Sequence, residues 1–489
     1  MGLARTRAMA LVGVDGHAVE VEAHVGNGTA GLNLVGLPDT TLREARDRIR
    51  AAVLNTGEDW PDARMTVSLS PASLPKRGSG FDLAIAVALL AADGQLPVEA
   101  VADTVFMAEL ALDGRTRPVR GVLPAALAAV GAGFREMVVA AENAAEARLV
   151  AELTVTEVWS LGGLLARLRG DPVPPPPPPE PRSAPRAAAP DMPPPDLADV
   201  AGQPVARRAV EVCAAGAHNL WMVGPPGTGK SMLAERLPSV LPPLEGAEAL
   251  EVTKIHSIMG TLPDDRPLIT TPPFCAPHHT ATRAAIVGGG SRAIRPGAAS
   301  QAHRGILFVD EAPEFSNGVL DALRQPLETG EVLISRATTT ARLPARFLFV
   351  MAANPCPCAR PVGPSGCECP PATRRRYLAR LSGPLLDRID VKVELQPVGR
   401  AELLADRAFA EPSAVVADRV GEARRRARRR LEGTPWRTNA EVPGGELRRR
   451  YAPRPDALTP LAAAMDRGQI SARGVDRIVR VAWIIYWQM

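Results

Sequence analysis

Eight consecutive residues, Gly224-Pro225-Pro226-Gly227-Thr228-Gly229-Lys230-Ser231, carry the G-x-x-x-x-G-K-S spacing of a loop that cradles a polyphosphate. Glycines let successive backbone N–H groups wrap round phosphate oxygens, and the N-terminus of a following helix adds partial positive charge. Lys230 is then placed to reach the β- and γ-phosphates, and the Ser231 hydroxyl to ligate Mg²⁺. The flanks fit: the apolar run Asn219 to Val223 predicts a strand, and Met232 to Leu237 predicts a helix. ATP with Mg²⁺ is the expected ligand.

Hydrolysis needs further groups at the same place. The apolar run Gly305-Ile306-Leu307-Phe308-Val309 leads straight into Asp310-Glu311. Buried strands of parallel sheets read as such runs, and ligands gather at their carboxyl ends. Asp310 is expected to hold Mg²⁺ through its water shell and Glu311 to orient or activate the attacking water. A third apolar run, Arg346 to Ala353, ends at Asn354, which is placed to sense the γ-phosphate; a turn asparagine before Pro355 is the other reading. In Leu385-Leu386-Asp387-Arg388-Ile389-Asp390, Arg388 is a candidate for the cation that a neighbouring subunit supplies to phosphoryl transfer. Its alternative is a surface salt bridge with Asp387 or Asp390. Arg473 is a second candidate cation, acting from the C-terminal region.

Cys356-Pro357-Cys358 and Cys367-Glu368-Cys369 form two C-x-C pairs eight residues apart. Four thiolates around a Gly/Pro-rich loop suit a structural Zn²⁺ site, although each pair is tighter than the usual two- to four-residue gap. Four free thiols are the alternative. Six cysteines in 489 residues do not make a disulfide scaffold.

The elements that position these groups divide the chain into four parts: residues 1–171, a Pro-rich linker at 172–195, an ATPase core at 196–395, and a helical, arginine-rich region at 396–489. The linker holds an unbroken run from Pro174 to Pro179, which favours polyproline II and cannot build a core. It reads as a spacer, with a docking site for a proline-reading partner as the minority reading. Ahead of it, Val19 to Val25 and Met65 to Leu69 read as strands, Thr41 to Leu54 as a helix, and Phe81 to Ala92 as a buried helix. Val105 to Leu112 and Met137 to Val139 are further strand candidates. An apolar share of 46% is ample for packed cores, but aromatics are only 4%, so the cores must be mostly Ala, Leu and Val. A net charge of +4 does not announce nucleic acid. With no membrane-length apolar run and no convincing signal peptide, the expected compartment is the cytoplasm, with no membrane partner.

The order of phosphate loop, acidic strand end, Asn-ending strand, Leu-Leu-Asp-Arg and helical lid resembles an AAA+ ATPase. The strings Ala201-Gly202-Gln203-Pro204, Ala276-Pro277-His278-His279-Thr280, Ile286-Val287-Gly288-Gly289-Gly290 and Asn354-Pro355-Cys356-Pro357-Cys358 resemble the YifB/ComM family of magnesium-chelatase-like AAA+ proteins over nearly the whole chain. The resemblance implies an α/β protein with an N-terminal Lon-protease-like domain, a P-loop AAA+ parallel-sheet core and a C-terminal helical lid. It implies a ring, hexameric by analogy, with ATP between subunits. In it Lys230, Ser231, Asp310 and Glu311 fall on the Walker motifs, Asn354 on sensor 1, Arg388 on the arginine finger and Arg473 on sensor 2.

In the first domain, Leu74 to Asp82 falls on the nucleophile loop of the Lon protease, with Gly80 at the nucleophile position and Ser79 one residue early. Arg117 to Pro124 falls where that protease keeps its lysine, and contains none. A serine needs a positioned base, so the expectation is a scaffold. For DNA, a hairpin-like segment, Glu328 to Arg336, and a loop, Gly288 to Arg295 with Arg292 and Arg295, are expected at the ring pore, with His278 and His279 in an inserted loop nearby. Neither segment holds aromatics, which favours backbone tracking. Arg374-Arg375-Arg376 and the run Arg424 to Arg430 are basic; the second is either a phosphate-binding strip or a solvated face pairing with Glu422 and Glu432.

The implied function is an ATP-driven helicase acting on single-stranded or branched DNA, promoting branch migration in recombination and natural transformation alongside recombination proteins. The alternatives are a magnesium-chelatase-type motor subunit, set apart by the first domain and the cysteines, and a non-catalytic ATP-dependent partner-binding ring. The apolar end, Val481 to Met489, departs from the polar continuation of relatives and points to a shortened lid helix or an altered reading frame.

Overall fold

The computed structural model describes residues 2–35, 40–76, 78–176, 195–263, 266–290, 294–336, 340–360, 367–399 and 410–488. Most of the Pro-rich linker, Arg77 and Arg292 therefore lie outside the described residues. The chain is α/β and divides into two compact units: Met1–Pro190 with Ala249–Ile269, and Asp191–Glu248 with Thr270–Met489.

Among the described residues of the first unit a seven-stranded mixed sheet runs in the order Gly31–Val35, Arg64–Ser70, Asp15–Gly26, Gly2–Val12, Thr104–Met107, Glu136–Ala140, Thr154–Val158. Its central strand, Gly2–Val12, has no strong sequence signal, because small residues fill its buried positions: Ala4, Thr6 and Ala8 face the core. Arg5 and Arg7 alternate with them and pair with Glu22 and Glu20 of the adjacent antiparallel strand. The helix Asp82–Ala92 is apolar all round and buried at every position, as its composition requires. Its single charge, Asp82, is fully buried with Arg48 at 2.9 Å. Burial pushes that carboxyl up to about 6, against the pull of the guanidinium.

The expected strand from Val105 to Leu112 is two elements instead. Thr104–Met107 joins the sheet, whereas Glu109–Leu110 turns away to pair with Thr116–Arg117. That break carries Glu109 to Ser79, whose hydroxyl donates to its carboxylate. The Lys76 amine is buried and donates to the carbonyls of Pro71 and Leu74. In the Arg117–Pro124 stretch, the Val119 N–H donates to Asn143 at 2.8 Å.

The excursion Ala249–Ile269 departs from the sequence-drawn boundary, which placed it in the ATPase core. The helix Gly246–Met259 leaves the second unit, and Leu250 packs against the first unit's core of Val105, Leu123 and Met137. Ser257 donates to the buried Glu146 carboxylate and accepts the Gly121 N–H at its carbonyl.

The second unit holds a five-stranded, wholly parallel sheet in the order Phe274–Cys275, Ile306–Val309, Leu348–Ala353, Leu220–Val223, Val391–Glu394, counted among the described residues. Helices Pro204–Gly216, Lys230–Val240 and Ser413–Arg430 pack on it through Val210, Leu233, Leu237, Val416 and Val420. The C-terminal helices are Ser413–Arg430, Gly444–Arg449, Pro455–Asp466 and Ala472–Gln488. The apolar end has a structural use: Ile484 enters the ATPase core, and Trp483 lies under the Arg430 guanidinium at 4.7 Å and edge-on to Tyr451 at 5.5 Å.

The Arg424–Arg430 run is not uniformly solvated, as a charge on every helix face would require. Arg424 turns inward and donates to the Ala214 carbonyl at 2.6 Å, and burial lowers it to about 10. Arg425 and Arg426 pair with Glu422. Among the described residues no helix is long and apolar enough to cross a membrane.

Candidate nucleotide-binding site

Strand register brings the candidate residues together. Val223 pairs with Ala353 and Val309 with Met351. Gly224 therefore stands level with Asn354, and Asp310 two positions behind on the next strand. Three carboxyl ends of a parallel sheet thus meet at one edge, where ligands of such sheets gather.

The loop after Val223 is shaped for a bulky anion. Gly227 and Gly229 adopt φ of +77° and +89°, and a Cβ built on either meets nothing within 4 Å. Gly224 is confined instead: a Cβ there would come within 2.7 Å of the Leu395 carbonyl. Gly229 starts the eleven-residue helix Lys230–Val240 without any side-chain cap, so the first N–H groups of that helix face the loop. Thr228 ties the loop to itself, donating to Pro225 at 2.9 Å. Lys230 is only 8% exposed, and its amine donates to Gly224 O at 2.7 Å, Pro225 O at 2.8 Å and Asn354 Oδ1 at 3.2 Å. Burial lowers its pKa, while the charges of Asp310 and Glu311 act the other way. A buried ammonium held by carbonyls alone is one that a polyanion would stabilise.

Ser231 Oγ donates to Asp310 Oδ2 at 2.7 Å, so two oxygens of the type that bind Mg²⁺ are adjacent. Glu311 is half-exposed beside them. The loop, the lysine and this oxygen pair fit a nucleotide polyphosphate with its Mg²⁺.

Two residues that fasten these strands carried no functional reading in the sequence: Gln203 at this edge and Asn219 at the opposite end of its strand. Gln203 donates to Thr228 O at 3.3 Å and Gln396 O at 2.6 Å, fastening the loop to the chain beyond the last strand. Its place in the Ala-Gly-Gln-Pro string was the available signal. Asn219 accepts the Phe349 N–H at 3.0 Å and donates to Arg388 O at 2.8 Å, joining the Asn354-bearing strand to the Arg388 segment.

Arg388 and Arg473 come together elsewhere. Arg388 pairs with Glu328 at 2.8 Å and donates to Pro384 O at 2.7 Å. The salt-bridge partner is thus Glu328, not Asp387 or Asp390. Asp387 is taken by Arg473 at 2.9 Å and Arg477 at 3.5 Å, and Asp390 lies 3.1 Å from His218. Both arginines line a cavity of about 810 Å³ that no residue of the phosphate loop lines. They share one face, and the nucleotide-binding edge is another.

The four cysteine sulfurs lie within 4.8 Å of one another. Cys356 to Cys358 is 3.0 Å, Cys358 to Cys367 3.6 Å, and Cys367 to Cys356 3.2 Å. A tetrahedral Zn²⁺ site with Zn–S of about 2.3 Å has sulfurs about 3.8 Å apart, so a slight expansion of this cluster fits one ion. Arg374 donates to the carbonyls of Cys369 at 3.2 Å and Cys367 at 3.4 Å, fixing the loop to helix Pro371–Leu378.

The stretch Glu328 to Arg336 is not a hairpin by itself: Arg324–Thr329 is helix, Glu331–Ser335 is one strand, and the partner strand lies beyond Arg336. Glu331–Ser335 pairs antiparallel with Thr340–Pro344, and Gly288–Gly289 with Arg295–Pro296.

Family models described as magnesium chelatase, subunit ChlI, match residues 196–403; as subunit ChlI of Mg-chelatase, residues 21–143; and as the subunit ChlI C-terminal region, residues 410–485. The chain is 52% identical to an uncharacterized protein of Mycobacterium tuberculosis, covering 99% of this chain and 94% of that one. It is 41% identical to the uncharacterized protein YifB of Salmonella typhimurium, over 99% and 92% of the two chains. It is 40% identical to the competence protein ComM of Haemophilus influenzae, over 99% and 93%. The magnesium-chelatase 38 kDa subunit of Rhodobacter capsulatus is 28% identical over only 29% of this chain and 44% of its own. Full-length identity at this level, joined to a phosphate loop set against an acidic strand end and an Asn-ending strand, places the chain in the YifB/ComM family of magnesium-chelatase-like AAA+ ATPases.

Proposed function

We propose that this protein hydrolyses ATP at the Lys230–Asp310–Asn354 edge and uses the energy to move DNA, as one subunit of a ring helicase, hexameric by family analogy, that promotes branch migration in recombination. The observation that carries the catalytic half is the meeting of Lys230 with Asn354, and of Ser231 with Asp310, at the ends of three neighbouring strands. When bound, ATP with Mg²⁺ supplies the phosphoryl group and its charge. The loop N–H groups and Lys230 would hold the phosphates, Ser231 and Asp310 would hold the metal, Asn354 would sense the γ-phosphate, and Glu311 would orient or activate the attacking water. Arg388 and Arg473, remote from their own phosphate loop, act on the nucleotide of the neighbouring subunit.

The two hairpins support the DNA half, with Arg295 and Arg336 as the cations for backbone contact. That the Haemophilus relative is a competence protein fits the same reading. We propose a structural Zn²⁺ at Cys356, Cys358, Cys367 and Cys369, clamping the end of the Asn354 strand to helix Pro371–Leu378; purified protein is expected to carry about one zinc per chain, and metal analysis finding none would remove this site. In the first unit, a Ser79 hydroxyl committed to Glu109 and a Lys76 amine committed to carbonyls support a scaffold.

A chelatase motor subunit is the rival reading. A model described as subunit ChlI also covers residues 21–143, so the first unit does not by itself set this chain apart. Length of match supports the first reading: YifB and ComM align along 99% of this chain, the 38 kDa chelatase subunit along 29%. The deciding experiment is ATP turnover with and without forked DNA at two salt concentrations. Stimulation by DNA that collapses as salt rises from 50 to 200 mM, roughly as the counterion-release slope requires, is expected. Turnover indifferent to DNA at low salt would remove the DNA motor.

A further inference from the structure

The turn that carries Glu311 is strained, and its outside support comes from the helix behind the cysteine cluster. Glu311 adopts φ +49°, a left-handed conformation that is costly for a residue with a side chain. Such a conformation persists only where the surrounding structure fixes it. Within the turn, the Glu314 N–H donates to the Glu311 carbonyl at 2.7 Å, and Ala312 and Pro313 are buried. From outside, Arg380 donates to the Pro313 carbonyl at 3.0 Å and to the Glu314 carboxylate at 3.3 Å. Tyr377 is buried, and its hydroxyl is hydrogen-bonded to the same carboxylate. Burial and that charge push the phenol up, so it stays protonated as the donor.

Both supporting side chains stand at the far end of helix Pro371–Leu378. At its near end, Arg374 grips the cysteine backbone, donating to Cys369 O at 3.2 Å and Cys367 O at 3.4 Å. The cluster's other pair opens at Cys356, which is buried and follows Asn354 by two residues. One short module therefore joins the end of the Asn354 strand to the Glu311 turn: the cysteines, Arg374, one helix, then Tyr377 and Arg380. Lys230 and the glycine loop are held by other contacts, with Gly224, Pro225 and Asn354.

We propose that Tyr377 and Arg380 are positioning residues for Glu311, and that Arg374 makes their hold depend on metal at the four cysteines. This rests on the readings of Glu311 as the residue acting on the attacking water and of the cysteines as a zinc site. With an ion bound, the two cysteine pairs are tied to one point, and the carbonyls that Arg374 grips are fixed. Without it, the helix loses its anchor at one end and its register against the Ala312–Glu314 turn at the other. Glu311 then loses its aim. Action on the water depends on that aim, whereas ATP affinity rests on the phosphate-holding groups.

The test is steady-state ATP turnover of the full chain, with zinc content and thermal unfolding measured on the same samples. Tyr377→Phe keeps the buried ring and deletes one hydroxyl; it is expected to lower kcat about fivefold. Arg380→Ala, at a half-exposed position, is expected to lower kcat about tenfold; both are ordinary sizes for coupling through packed networks. In each, KM for ATP stays unchanged and about one zinc per chain is retained. Arg380→Lys keeps a donor and is expected to recover most of the loss. Stripping zinc from the wild type with a chelator, in excess Mg²⁺, is expected to lower kcat about tenfold, and added Zn²⁺ to restore it. Arg374→Ala removes no cysteine, so it keeps its zinc; its kcat is expected to be low already, and stripping to lower it no further. Unchanged kcat in both Tyr377→Phe and Arg380→Ala, or a loss that appears in KM instead, overturns the positioning roles. Stripping that costs Arg374→Ala as much as the wild type overturns the route through Arg374. The two parent readings fail visibly and separately, each taking this proposal with it: the first by turnover that survives Glu311→Gln, the second by wild-type protein without zinc.

Discussion

Replacing Glu311 by glutamine is expected to lower ATP turnover about a thousandfold while nucleotide affinity stays within a few-fold of wild type. The side chain is half-exposed and the amide has the same volume, so the fold has no reason to respond. The phosphate-holding groups, Lys230 and the glycine loop, are separate from it. Lys230→Ala should behave differently, losing affinity as well as turnover, because it deletes the cation aimed at the phosphates. Nucleotide-binding titrations alongside turnover check the split. A Glu311→Gln chain that still hydrolyses ATP at near wild-type rate would exclude the role given to this carboxylate, and hydrolysis absent from the wild type would leave the partner-binding ring as the reading.

Mixing two inactive variants is expected to restore activity. Arg388 and Arg473 line a cavity away from their own phosphate loop, so each is assigned to a neighbour's nucleotide. Arg388→Ala should lose about a thousandfold in kcat, the usual size of such a contribution, and Lys230→Ala should be inactive. In random mixed rings about a quarter of interfaces pair an intact loop from one chain with an intact Arg388 from the next, as a head-to-tail ring dictates. Recovery near that fraction, measured as turnover across mixing ratios, is the expected outcome. Strict absence of recovery in rings shown to exchange subunits would place Arg388 outside the neighbour's site.

The parts of the site that were legible share a cause. Val223, Val309 and Ala353 close short apolar runs, and a buried parallel strand has few other sequence forms, so Gly224, Asp310 and Asn354 could be set at strand ends before any coordinates. Partners chosen across distance were not legible. Arg388 has acids at positions 387 and 390 yet uses Glu328, 60 positions away, and Arg473 reaches Asp387, 86 positions away. Local spacing carries no information on such pairings. His279 was visible as a residue but not as a neighbour of Glu311, because a strand of two residues has no periodicity to read. The strand Gly2–Val12 was missed for a different reason: Ala and Thr at its buried positions do not register as hydrophobic alternation. Arg424 defied its composition, since a guanidinium can satisfy an inward position with one carbonyl.

The excursion Ala249–Ile269 has a consequence for dissecting the molecule. The polypeptide enters the first unit a second time after the proline-rich stretch, so the two halves are stitched rather than strung. A protease nicking that stretch would not free an independent N-terminal piece, because the later helix and its return still complete that piece's packing. A truncated version beginning at the motor would carry an orphaned helical segment, with Leu250 and Ser257 stripped of the surroundings that satisfy them, and sticky behaviour of such a fragment would report on the cut and not on the motor.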